Sequence, residues 1–380
     1  MEPRTYVDIH ILQTVPPANL NRDDAGSPKQ AIYGGVRRAR VSSQAWKRAS
    51  RVAFADLVPH ESLATRTKKI AKILSDRLVA RTGIDPDAAT RIATTLLEPL
   101  KITPGKKAEE TAYLLFFGRA QIEELVSQVA DRASELAGLE GKALTDALSG
   151  VSAKAVLGTG HPIDVALFGR MVANLPELNV DAATQVAHAL STHQAELQFD
   201  YYTAVDDENL DDETGAGMIG TIEFNSATLY RFATVELSQL LRNLGGDIEA
   251  ATTALEVFLN AFTKSMPSGH TNSFAHRTLP GFVSVAVRDD QPINLVSAFE
   301  KPIRTPAGTF DASVDRLADE ARKVGQLWGA PPLHLASMYS ASDADADRLR
   351  EVFGDPQPFK ELVTTISGVA RERMTGVSAR

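Results

Sequence analysis

Residues 199–224 leave this chain little choice of local structure. Phe199 to Val205 and Ile219 to Phe224 are apolar or aromatic runs, and between them stands DDENLDDETGAG, residues 206–217. Carboxylates at that density repel one another and stay in water, so the flanking runs must pair as a long β-hairpin with an acidic tip. Thr228 to Val235 reads as another strand, Ile248 to Phe262 as a helix, and Phe282 to Val287 as a valine-rich strand. Near the start, Val7, Ile9 and Ile11 alternate with Asp8 and His10. That is the period of a strand with one covered face, which Pro16 and Pro17 would end. A polar loop then leads to Gly34-Gly35, a tight turn. Ser42 is an N-cap candidate for a helix from about Ser43 to Leu57, with Trp46, Ala49, Ala53 and Leu57 as its buried stripe.

Strand, helix, strand, strand, helix, strand is the skeleton of a ferredoxin-like (RNA-recognition-type) α+β sandwich, here interrupted by insertions. The largest insertion follows residue 60. Ile70, Ile73, Leu74 and Leu78, then Ile92, Leu96 and Leu97, then Ile122, Leu125, Val126 and Val129 mark successive helices. Breaks at Gly83 to Pro86, Pro99 to Gly105 and Gly138 to Gly141 separate them. Ile163 to Met171 has strand composition, and residues 182–193 read as helix. Helices are also expected near 313–328 and 359–373, joined by a loop carrying Pro331, Pro332 and the acidic Asp343 to Asp347.

The chain has 380 residues and a formal net charge of −8, which argues against bulk attraction to nucleic acid or anionic membrane. Any nucleic-acid site must be a local patch, and one stretch qualifies. Between Ala25 and Ala55 there is no Asp or Glu, yet Lys29, Arg37, Arg38, Arg40, Lys47, Arg48 and Arg51 all fall there. On charge alone a solvated basic face accounts for this; beside a Gly-Gly turn and a Ser-started helix it also fits a phosphate backbone. Cysteine is absent, which excludes disulfides, thiolate nucleophiles and Cys-ligated zinc. No signal-peptide core and no apolar run of about 20 residues is present, so a soluble, cytoplasmic protein without membrane contact is expected.

Other chemistry finds little support. Gly215 to Gly220 matches G-x-G-x-x-G by letter, but an acidic run precedes it and a strand-like segment follows, the reverse of a dinucleotide site. No phosphate-loop or nucleophile-elbow signature occurs. His188 and His193 are five apart, off the spacing of a helical zinc pair. His270 near Ser268 lacks a specified third member for a hydrolase. Asp206, Asp207, Glu208, Asp211, Asp212 and Glu213 crowd one loop tip, whereas two-metal catalysis needs carboxylates from separate rigid elements. Tyr201 and Tyr202 point to opposite faces of their strand and could present rings to bases or pack across the sheet.

The combination is more specific than its parts. NLNRDD (residues 19–24) followed by AIYGGVRRARVSSQAWKRASR resembles the N-terminal signature of the CasC-type backbone subunit of the type I-E CRISPR surveillance complex, Cascade. VALFGRM (165–171), VAHALSTHQ (186–194), YYTAVDD (201–207), GTIEFNSATLYRF (220–232) and AFEKP (298–302) continue the likeness in order.

The resemblance implies a hand: a ferredoxin-like palm at 1–59, 161–197 and 223–380, helical fingers at 60–160 and a thumb hairpin at 198–222. It implies polymerisation of copies along one guide RNA (crRNA), contact with other Cascade subunits, and pairing of the guide with target DNA in antiviral defence. The RNA contacts it implies are Lys29, Arg37, Arg38, Arg40, Ser42, Gln44, Lys47, Arg48 and Arg51 in the palm. Arg170 and the wedging Met171 follow from the fingers, and Tyr201, Tyr202 and Ile219 from the thumb. No catalytic residue, metal or cofactor is implied. Val36 stands where another basic residue would suit the family. Type III relatives cut RNA with a thumb-region Asp, so a metal-dependent ribonuclease using Asp206 is the alternative.

Overall fold

The computed structural model describes residues 4–101, 110–112, 114–172, 175–204, 218–340 and 346–378. The chain opens with β1 (Tyr6–Ala18), β2 (Gln30–Tyr33), β3 (Val36–Val41) and α1 (Ser43–Ala53). Next come β4 (Ala64–Thr67), α2 (Ile70–Thr82), α3 (Pro86–Leu97), β5 (Leu115–Gly118) and α4 (Arg119–Ala130). α5 (Ala133–Ala137), α6 (Gly141–Leu148), α7 (Ala153–Gly158) and α8 (Ile163–Phe168) follow. Then β6 (Thr184–Val186), β7 (Ala189–Ser191), β8 (Gln198–Ala204) and β9 (Met218–Glu236) lead to α9 (Leu237–Asn243) and α10 (Ile248–Lys264). The chain closes with α11 (Thr271–Phe274), β10 (Phe282–Arg288), α12 (Phe310–Trp328), β11 (His334–Met338), α13 (Ala346–Phe353) and α14 (Phe359–Ser378).

Two compact units result: one from Met1–Ala53, Gln185–Glu236 and Leu255–Arg380, the other from Phe54–Thr184 and Leu237–Ala254. The first is built on an antiparallel sheet ordered β11-β10-β1-β9-β7-β3-β2. β1 lies between β10 and β9, and both of its faces are buried. One covered face was expected; Asp8 and His10 alternate with the apolar residues, but α12 closes over them. Leu12, on their side, joins Tyr230, Phe299, Val314 and Leu317 in one cluster. Pro16 and Pro17 do not end β1, because a register shift between Val15 and Ala18 carries it past them.

The two runs Ile219–Phe224 and Thr228–Val235 are one strand, the 19-residue β9. Its first part pairs with β8, in a register that sets Tyr202 opposite Gly220. Its later part runs between β1 and β7. Residues 182–193, expected as helix, form β6 and β7. Pairing of Leu190 with both Arg40 and Tyr230 outweighs a weak propensity.

In the second unit the helices close on Leu74, Ile92, Leu96, Leu125, Val126 and Leu157, as the periodicity indicates. β4 and β5 form a short ladder that the helical patterning did not announce. Ile163–Phe168 is helix rather than strand, since a short, wholly buried apolar run carries no period of its own. Gly169 stops it at φ +74, where a Cβ would lie 2.7 Å from the Val180 carbonyl oxygen.

Candidate nucleic-acid interface

The acid-free stretch folds into a hairpin and a helix within the first unit. Gly34 and Gly35, at φ +60 and +77, make the turn between β2 and β3. At Gly34 a Cβ would overlap the Glu300 carbonyl oxygen, so the residue must be glycine for space as well as for φ. Arg37 and Arg38 then point to opposite faces of β3. Arg37 is exposed. Arg38 is fully buried, and its guanidinium donates to the Tyr33, Ser191, Phe299 and Glu300 carbonyl oxygens at 3.1, 2.9, 2.8 and 3.2 Å. Burial lowers its pKa. Arg38 therefore corrects the expectation of a phosphate contact: its donors are spent on tying the turn to β7 and to the AFEKP segment.

Arg40 is half-buried. Its Nε donates to the Gln30 carbonyl at 3.1 Å and its Nη1 to His188 Nδ1 at 3.2 Å. Burial, then the charges of Arg40 and Lys29, hold His188 below its ordinary pKa, so the neutral ring accepts that bond. Lys29, also half-buried, shares an open depression with Arg40, Asp23, Gln30 and Glu223.

Ser42 caps α1 as expected: its Oγ accepts from Ala45 N at 3.3 Å, while its own N donates to Asn21 Oδ1 at 2.9 Å. The first turn carries no acidic residue, and Gln44 is exposed there. The stripe differs from the expected one. Trp46, Ser50 and Phe54 are buried, whereas Leu57 is exposed, because α1 ends at Ala53. The stripe thus runs in steps of four rather than three and four. Arg48 is exposed, but Lys47 and Arg51 are half-buried rather than solvent-facing, and burial lowers the Lys47 pKa. Beneath α1, the buried Arg231 guanidinium lies 3.8 Å from the Trp46 ring centroid.

NLNRDD is a framework for this surface. Asn19 Nδ2 donates to the Gly26 and Glu223 carbonyl oxygens, both at 2.9 Å, joining the loop to the hairpin arm. Asp23 Oδ1 accepts from Ala25 N and Ser27 N at 2.9 and 3.0 Å. Arg22 Nη1 donates to His270 Nε2 at 3.1 Å. A Cβ at Gly269 would stand 2.5 Å from the Asn19 and Leu20 carbonyl oxygens, so this second loop seats on the first. Arg22 and His270 were missed as members of the surface. The signal available was that NLNRDD is itself part of the likeness.

On the hairpin, Tyr201 and Tyr202 are 61% and 41% exposed, so neither is core. The Tyr202 ring lies over Gly220, where any Cβ would overlap it. Ile219 sits on β9 opposite Thr203, with its side chain outside the described residues. The tip with Asp206 and its five acidic neighbours is also outside them.

In the second unit Arg170 is buried, and it donates to the Leu178, Leu157 and Phe116 carbonyl oxygens at 2.7, 2.8 and 3.4 Å. Burial pulls its pKa down to about 10. Like Arg38, it corrects an expected RNA contact to an internal brace. Met171, the next residue, is 83% exposed. The buried arginine fixes the loop from which the methionine projects.

Residues 7–365 match the model of the CT1975-like protein family. The chain belongs to that family. Two solved structures extend the likeness of this CT1975-like chain. One, titled CRISPR RNA-guided surveillance complex, pre-nicking, is 32% identical at a TM-score of 0.82, covering 96% of this chain and 100% of the other. The second, titled CRISPR RNA-guided surveillance complex, is 29% identical at 0.72, covering 96% and 99%. No curated protein matches. The family and both structures agree with the likeness to CasC-type backbone subunits read from the sequence. Among the described residues of this CT1975-like chain, no group of three or more His, Asp or Glu is arranged to hold a metal. None of its described helices is long and apolar enough to cross a membrane.

Proposed function

We propose that this CT1975-like chain is a non-catalytic guide-RNA (crRNA)-binding backbone subunit of a type I-E Cascade surveillance complex. Copies would polymerise along one crRNA in the cytoplasm, beside other Cascade subunits, and present the guide to target DNA. One observation carries this: an acid-free stretch dense in Lys and Arg, within an acidic chain, forms a glycine-turned hairpin and a Ser42-capped helix. Those elements offer exposed Arg37 and Arg48, the half-buried cations Lys29, Arg40, Lys47 and Arg51, and Gln44 to a phosphate backbone. Such contacts ignore sequence, and pairing of the guide supplies specificity.

We read residues 1–59, 161–197 and 223–380 as the palm, 60–160 as fingers and 198–222 as thumb. The palm is ferredoxin-like in this reading. Support comes from chain order β1-α1-β7-β9-α10-β10 and sheet order β10-β1-β9-β7, with the last core strand beside the first. Met171 is the wedge at a kinked base. Tyr201, Tyr202 and Ile219 belong to the thumb that folds over the RNA and leaves a nucleotide unpaired with DNA. Arg38 and Arg170 shape the site without touching RNA.

The deciding experiment is purification followed by RNA extraction. RNA of uniform length is expected, together with a log K against log salt slope near −3 for about four phosphates per subunit. A slope of zero would overturn the reading. Regular cleavage of complementary RNA in Mg²⁺, abolished by Asp206→Ala, would replace it with the ribonuclease.

A further inference from the structure

Within the first unit, a cavity of about 360 Å³ lies between the inner sheet and α12. It opens to solvent on one side, and its size falls within the range of small-molecule sites. Its floor is His10, Ser284 and Leu335; its roof includes Ala321 and Gly325 of α12, and Phe353 forms one wall. Gly325 is notable. A glycine inside a helix weakens it, and a Cβ here would meet nothing within 4 Å. No close approach or special φ requires it, so its effect is to leave the space open.

The floor is polar in a specific way. Tyr230 OH accepts from Leu295 N at 3.1 Å, so its proton goes to His10 Nδ1, 2.9 Å away. His10 is 6% exposed, and its remaining ring nitrogen, Nε2–H, has no hydrogen-bond partner among the described residues. Burial, then Arg288, holds the ring's pKa down to about 3, so it stays neutral. Ser284 Oγ accepts from Ser337 Oγ at 2.9 Å, leaving its own proton to donate. The lining cations are committed. Arg288 donates to the Ala330 carbonyl at 3.0 and 2.9 Å and faces Asp8 at 3.7 Å; Arg322 faces Asp319 and Glu351 at 3.7 and 3.8 Å. An anion would find no free counter-charge, and a donor that meets only the cavity can be taken by an acceptor placed there.

We propose that this cavity binds a small neutral molecule with an apolar body and one carbonyl-type oxygen, which accepts from His10 Nε2–H. The full chain would be titrated by ligand-observed NMR with 4-phenylbutan-2-one, 4-phenylbutanoate and butylbenzene. Saturable binding of the ketone is expected, about fivefold tighter than either other probe. His10→Phe should weaken the ketone about fivefold and leave butylbenzene unchanged. Gly325→Leu should fill the space and abolish ketone binding while the melting temperature holds or rises. Ala321→Leu is the second filling variant, with circular dichroism confirming that each is folded. Absence of saturable ketone binding, butylbenzene as tight as the ketone, or ketone binding that survives in both folded filling variants would overturn the proposal.

Discussion

The guanidinium of Arg231 lies flat enough over Trp46 to place its carbon 3.8 Å from the indole ring centroid, with no carboxylate in reach among its described partners. Gln13 Oε1 at 2.6 Å and the Thr263 and Phe262 carbonyls take its protons instead. Burial alone pulls its pKa down to about 9. The basic helix α1 is thus seated on a cation, through an aromatic ring that faces it. Arg231→Lys keeps the charge but loses the fork and the stacked plane. A loss of about 2–4 kcal/mol is expected from urea unfolding, with far-UV circular dichroism as the readout.

Gly34 and Gly35 separate two demands on one turn. Gly34→Ala forces a Cβ into the Glu300 carbonyl at φ +60 and should cost more than about 3 kcal/mol, or abolish folding. Gly35→Asn, at φ +77 in open space, should cost no more than about 1 kcal/mol. Equal losses in urea melts would contradict the close approach.

Arg37 and Arg48 are the exposed cations of the basic stretch, and Arg38 is its buried one. Arg37→Glu with Arg48→Glu should leave the unfolding curve unchanged and make the salt slope of RNA binding shallower by about 1.4. Arg38→Ala should do the opposite. It strips four carbonyls of their donor, so stability falls by about 3 kcal/mol while any folded fraction keeps its slope.

Arg170 and Met171 make the same contrast in the second unit. Met171→Ala removes an 83% exposed side chain, and stability should change by less than about 0.5 kcal/mol. Fluorescence of a 2-aminopurine placed at successive guide positions should change at one position per subunit. An unchanged fluorescence profile would remove Met171 from the RNA site. Arg170→Ala should instead unfold the loop, at a cost of about 3 kcal/mol.

Asp8 and His10 share one face of β1 and titrate in opposing senses. Burial raises Asp8 to about 6 against hydrogen bonds and Arg288, so its contribution is full below its unfolded 3.8 and is lost as pH rises through 6. His10, lowered from 6.5 to about 3, contributes fully above 6.5 and loses that contribution as pH falls toward 3. Each amounts to about 3 kcal/mol between pH 7 and 4, so in the parent they offset. Asp8→Asn should steepen the acid loss of stability by about that amount, and His10→Phe should flatten it. Urea titrations at pH 4, 5.5 and 7 provide the check.

Long, periodic elements were legible in the residues themselves. α2, α3, α4, α10, α12 and α14 follow their apolar spacing, and the hairpin follows its acidic tip. What failed was short and wholly buried. Val165 to Leu167 have no solvent side to reveal a period, and Ala189 to Ser191 became strand only because β3 and β9 flank them. At the site, charge composition located the stretch but could not rank its members. Arg37 and Arg38 are adjacent letters with opposite fates, decided by the strand's parity and by carbonyls from β7 and Phe299–Glu300, more than 150 residues away. Arg22 and His270 meet across 248 residues, a pairing only the fold supplies.

β9 is a single strand from the hairpin arm to the centre of the sheet, and this ties the two to one arithmetic. Side chains alternate along it without interruption, so a one-residue insertion between Gly220 and Ala227 would turn either the arm or the core inside out. Length variants of the arm should therefore differ by even numbers of residues, or carry a bulge that restores the count. A grip lengthened two residues at a time keeps both ends of the strand facing as they do; an odd step needs a bulge to absorb it.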